Sequence, residues 1–217
     1  MTNPEQISSR RSRGAATHDS LHSPFVLGCA WVALVALAVL GRLCQPSWNG
    51  EPIWNVTPLA AVALAAGFIF RSSIVAVAAP VAALAIGNLF LPAYDNLGVA
   101  AVVFAATAWP VTLGWSGLLG RERPRWRAVF GGSLACSLVF FFTTNFAHWA
   151  FVGGYPQTLG GLIECYAAAL PWYRWTPVGD LAWTAIVFGL LSAVHAVSGG
   201  MIPRSLAPQA ISTRPLD

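Results

Sequence analysis

Apolar residues come in runs of about twenty along most of the chain, separated by short polar or arginine-bearing segments. A helix rises ~1.5 Å per residue, so a run of that length crosses the ~30 Å hydrocarbon core of a bilayer. Six runs have this character: Phe25 to Cys44, Ile53 to Phe70, Ser72 to Leu91, Leu97 to Leu119, Ala128 to Val152 and Val178 to Ser198. Between the last two, Gly153 to Pro177 carries Leu159, Leu162, Ile163, Tyr166 and Leu170 at helical spacing. That stretch is too short to span, so it predicts a re-entrant or interfacial helix. The pattern predicts an all-α integral membrane protein with six transmembrane helices and this short helix between the fifth and sixth. Residues 1–23 read as a disordered cytoplasmic tail, 24–199 as the transmembrane domain and 200–217 as a cytoplasmic C-terminal tail.

Local signals refine the runs. The first ends in Gly41-Arg42-Leu43-Cys44 rather than a small-residue cleavage site, which predicts a retained helix. The second opens with Asn55-Val56-Thr57-Pro58, where Thr57 is placed to cap and Pro58 to occupy the first turn. Ala61 and Ala65, Ala63 and Gly67, and Ala79, Ala83 and Gly87 are small residues four apart, a spacing that lets helix backbones approach in lipid.

Composition agrees with a lipid solvent. Only 9% of residues are charged and 56% are hydrophobic, against roughly 25% charged in a soluble domain. All twelve basic residues are arginine. With the N-terminal tail inside, ten fall on the cytoplasmic side and only Arg42 and Arg174 on the outer side. This bias predicts both termini in the cytoplasm. The same placement argues against nucleic acid as a partner: Arg121-Glu122-Arg123-Pro124-Arg125-Trp126-Arg127 needs only its role in orientation. The four cysteines show no metal-ligand spacing, so no metal or other cofactor is expected; a Cys44–Cys165 disulfide at the outer face stays open.

Intramembrane polar groups are costly, so their positions are informative. The inner halves of the runs hold few. The outer ends collect Asn55 and Thr57, Asn88, Thr144, Asn145 and His148, and Asp180 opening the sixth helix. Aromatic residues share this level: Trp48, Trp54, Trp149, Trp172, Trp175, Tyr94, Tyr155 and Tyr173. An interfacial aromatic belt accounts for most of them. Each polar residue also has a structural explanation, since Asn88 and Asn145 can bond between helices and Asp180 suits a helix N-terminus. Their convergence nevertheless makes Asn55, Thr57, Asn88, Asn145, His148, Trp149, Tyr155 and Asp180 the candidate substrate-binding residues, with a small-molecule ligand.

Three blocks carry a resemblance: Asn55-Val56-Thr57-Pro58 with the Ala-rich helix behind it; Thr144-Asn145-Phe146; and Tyr155-Pro156-x-Thr158-Leu159-x-Gly161-Leu162 running on through Cys165-Tyr166, Pro171 and Gly179-Asp180-Leu181. With these the chain resembles an uncharacterised family of small bacterial six-helix membrane proteins, itself similar to the substrate-binding S components of energy-coupling-factor (ECF) vitamin transporters. The resemblance implies a multi-pass protein of the bacterial inner membrane that captures a small, vitamin-like solute from outside. It also implies a separate membrane scaffold and paired ATPases as partners, since the chain has no Walker A motif. Only Cys29 and Ala33 approximate the Ala-x-x-x-Ala spacing by which S components dock their scaffold.

Two other functional classes compete with this reading. Gly131-Gly132-Ser133-Leu134-Ala135 with His195 matches a loose rhomboid-type serine hydrolase pattern, but the motif is cheap in so small-residue-rich a chain, and no enzyme is expected. A ligand-free membrane scaffold is the other alternative.

Overall fold

The structure, a computed structural model, describes residues 24–48, 50–53, 55–91, 94–120 and 123–197. Both expected tails and Trp54 lie outside these. Helix α1 covers Pro24–Leu43. A minimal antiparallel hairpin follows, β1 (Ser47–Trp48) pairing with β2 (Glu51–Pro52). Then come α2 (Leu59–Ile69), α3 (Ser73–Gly87), α4 (Leu97–Ala108), α5 (Pro110–Trp115), α6 (Trp126–Val152), α7 (Leu159–Tyr173) and α8 (Trp175–Val197).

Among the described residues, four helical stretches are long and apolar enough to cross a membrane: Pro24–Leu43, Leu97–Trp115, Trp126–Val152 and Trp175–Ala196. The chain is a helical membrane protein. The expected second and third spans are shorter than their apolar runs. Helix α2 has 11 residues and α3 has 15, or ~16 and ~22 Å at 1.5 Å per residue. The reasons are local. Asn55 sits at φ 69°, in the left-handed region, and Thr57, which precedes Pro58, is disfavoured in helical conformation, so the helix starts only at Leu59. Thr57 makes no capping bond, contrary to expectation. The α2–α3 link is closed by Ser72, whose side chain caps α3. The fourth run is divided where Pro110 follows the turn at Trp109 and restarts the helix as its first residue.

A short helix is tolerable here because α2 is enclosed by its neighbours. Every residue from Ala61 to Gly67 is buried. A Cβ on Gly67 would strike the Val111 carbonyl, and one on Gly114 the Leu64 carbonyl, so α2 and α5 meet backbone to backbone. The small-residue spacing thus does what it promised. The outer surface is apolar instead, with Phe25, Val32, Leu138, Phe142, Ile186 and Leu190 exposed. Lipid is the solvent that suits such a surface. Helix α7 follows the same rule: Gly161 and Cys165 are buried, while Leu159, Ile163 and Leu170 face outward.

One end of the bundle gathers the links 44–58, 88–96 and 153–158. The opposite end holds the links 70–72 and 116–125, and α1 starts and α8 finishes there.

Candidate functional site

A cavity of about 90 Å³ opens among the helices toward the end bearing the 44–58 and 88–96 links. Its walls come from seven helices and two links. Arg42 belongs to α1, Leu84 to α3, Thr107 to α4, Pro110 to α5, Cys136 and Phe140 to α6, and Thr176 and Asp180 to α8. Gln45, Asn55, Thr57 and Tyr94 come from the links, and Leu59 and Ala60 from the first turn of α2.

The 44–58 link is held by close approaches. The Pro58 ring lies where a Cβ on Gly41 would sit, and a Cβ on Gly179 would come within 2.9 Å of the Val56 Cα. These contacts set Thr57 and Asn55 against the cavity and bring Asp180, beside Gly179, to the same wall. Asn55 takes its left-handed conformation at small cost, because Asn tolerates that region better than most residues.

Arg42 is only 9% exposed. Its guanidinium packs on Gly87, with Nε 3.3 Å from where a Cβ would be. Nη2 donates to Asn88 Oδ1 at 3.1 Å, while Nη1 is buried without a partner among the described residues. Gln45, also lining the cavity, has its Oε1 buried and unpaired among the described residues. Tyr94 is the titratable neighbour. Desolvation raises its phenol above the ordinary value against the pull of the Arg42 charge, so it stays a neutral hydroxyl and supplies no counter-anion.

Asp180 is 5% exposed. Its Oδ2 accepts from Ser137 Oγ at 2.6 Å, and one turn along Thr184 Oγ1 donates to Ser133 Oγ at 3.1 Å. Ser137 lies eleven residues beyond Trp126, the start of α6, which is ~16 Å into the bundle. Asp180 was expected to open its helix at the outer level. It sits deeper, in the second turn, because α8 begins at Trp175 with Pro177 in its first turn, where a missing N–H costs nothing. Among the described residues no ion pair joins Arg42 to Asp180.

Of the candidates read from sequence, Asn55, Thr57 and Asp180 line the cavity, and Asn88 holds the arginine that does. Asn145, His148, Trp149 and Tyr155 do not line it. They gather where α6 runs into the 153–158 link. Asn145 Nδ2 bonds back to the Phe141 carbonyl at 2.8 Å, and Trp149 Nε1 donates to the Pro156 carbonyl at 2.8 Å. The exposed His148 stacks edge-on with Tyr155 at 6.2 Å. Cys165, buried, contacts the Asn145 carbonyl at 3.5 Å, and both it and Cys44 are free thiols.

Arg42 is the cavity-lining charge that sequence reasoning missed. It had been counted only as an outer-side charge, although an arginine within an apolar run is itself a signal. Gln45 and Thr107 gave no signal of their own. Ser133 is engaged by Thr184, and His195 lies eleven residues further along α8 than Thr184, or ~16 Å along the axis.

A family of unknown function (DUF6580) matches residues 25–201. The chain belongs to this family. No curated protein matches the chain, and no solved structure does. The DUF6580 match contains every cavity-lining residue.

Proposed function

We propose that this DUF6580 protein is a membrane-embedded binding protein that takes a small polar solute from the outer face, in the manner of an ECF S component. The observation that carries this reading is a cavity lined in part by Arg42, Gln45, Asn55 and Asp180 in an otherwise apolar bundle, with a buried arginine nitrogen left without a partner among the described residues. A buried unpaired donor costs about 1–3 kcal/mol, more when charged, so an occupant that accepts its hydrogen bond is favoured. Six crossings with both termini inside complete the reading, with α2 and α3 crossing together with their flanking links. The arginine bias supports this orientation and makes the cavity end the outer one. Uptake would then need a separate scaffold and ATPases, as it does for S components. Binding is preferred to hydrolysis because the Ser133 hydroxyl is paired with Thr184 rather than a histidine.

The test is native mass spectrometry of the full chain extracted in mild detergent, with thermal unfolding against a panel of amino acids, hydroxy acids, amines and sugars. A retained small molecule, or a stabilising member of the panel, is the expected result. Asp180→Asn should then weaken that stabilisation by about tenfold in affinity, ~1.4 kcal/mol, while Arg127→Ala at the opposite end should not. No retained molecule and no stabilising compound would overturn the proposal.

A further inference from the structure

Arg42 and Asp180 give the cavity two ionisable poles, and among the described residues no ion pair joins them. Arg42 contributes a guanidinium with Nη2 held by Asn88 and Nη1 free. Asp180 contributes a carboxylate whose Oδ2 is taken by Ser137. Oδ1 has no hydrogen bond among the described residues. Both side chains are at least nine-tenths buried. Burying an ionised group without a counter-charge is costly, so an occupant that brings one to each pole is favoured.

Consider the classes of occupant. A lone anion answers Arg42 but is repelled by Asp180, and a lone cation does the reverse. A neutral solute leaves both charges without a counter-charge. A molecule with a carboxylate at one end and an ammonium at the other satisfies both and adds no net charge. The planar fork of an arginine matches a carboxylate better than any other common ligand group except phosphate. Gln45 reinforces that pole, since turning its terminal amide by 180° presents Nε2 as a further donor in place of the unpaired Oε1.

Size narrows the class. Pockets for drug-sized ligands measure roughly 300–1,000 Å³, whereas this cavity has about 90 Å³. Since a single water needs roughly 10–15 Å³ of such space, the cavity holds several waters or one small solute. We propose that the cavity selects a small zwitterion, with the solute carboxylate on Arg42 and its ammonium on Asp180. This assignment rests on the binding function proposed above and names the chemistry of its ligand.

The experiment is isothermal titration of the full chain in detergent with four probe classes. The zwitterions are glycine, β-alanine and 4-aminobutyrate, which also gauge the spacing of the poles. Acetate and lactate are the anions, ethylamine and ethanolamine the cations, and glycerol and acetamide the neutral compounds. At least one zwitterion should bind about tenfold or more tightly than any member of the other classes. Arg42→Lys, which keeps the charge but loses the fork, should weaken that zwitterion about 10- to 100-fold, as expected for charge-assisted hydrogen bonds. Asp180→Asn should shift preference from the zwitterion toward acetate and lactate. The wild-type panel needs no variant to fold, so the comparison among classes stands by itself. Binding of neutral, anionic or cationic probes as tight as any zwitterion would overturn this inference and leave the binding function intact. Binding of no probe class, together with no co-purified solute, would overturn both and leave water as the occupant.

Discussion

Arg42 closes an apolar helix, and the two ends of its guanidinium have different fates. Asn88 takes Nη2 and nothing among the described residues takes Nη1. Asn88→Ala would release Nη2 as well, and a buried charge-assisted hydrogen bond contributes about 1.5–3 kcal/mol. Thermal unfolding should show a loss of that order, while Asn88→Asp, which keeps an acceptor and adds a counter-charge, should retain most of the stability. Asn55 offers a second residue-level test. Its left-handed φ of 69° suits Asn or Gly and penalises a β-branched residue. Asn55→Gly should be nearly neutral, whereas Asn55→Val should cost about 1–2 kcal/mol in the same assay. Equal stability of the two variants would show that the link relaxes and does not hold the cavity wall.

At the scale of elements, α2 is unusual in being both short and wholly enclosed. Its stability comes from backbone contact with α5 across Gly67 and Gly114. Gly67→Ala places a methyl group where the Val111 carbonyl lies, and overpacking of this kind costs about 1–3 kcal/mol. A matching loss in thermal stability is expected, with Gly131→Ala as a control at a glycine that has open space beside it. Helix α7 depends on its start instead. Thr158 accepts from Gly161 N at 3.2 Å, so Thr158→Ala should loosen the helix by about 1 kcal/mol. Faster proteolysis within 153–158 would report it.

At the scale of the whole molecule, all the links that border the cavity share one end of the bundle. Orientation therefore decides what the cavity can sample. Reporter fusions after Arg127 should report the cytoplasm, and fusions within Gly153 to Pro156 the outside. The reverse result would turn the cavity toward the cytoplasm and remove uptake from outside as its role.

Hydrophobic runs and small-residue spacing were enough to reveal a helical membrane protein, because periodicity and length follow from the helix and the bilayer alone. The same reasoning located α7 within the 153–177 loop and, by their cost in lipid, singled out Asn55, Thr57 and Asp180, which line the cavity. Periodicity overestimated α2 and α3, since it registers apolar residues whether or not they are helical. It carries no information on whether neighbours enclose a helix that is too short to cross alone. The division of the polar residues into two groups was likewise invisible. Asn145, His148, Trp149 and Tyr155 share a sequence level with Asp180, but depth along a helix says nothing of the direction in which a side chain points. By charge alone Arg42 marks topology; only the fold sets Gly87 and Asn88, 45 and 46 residues away, against its guanidinium. Which polar groups face one another across a cavity is a long-range matter, decided by packing between helices distant in sequence, and only the tertiary structure contains it.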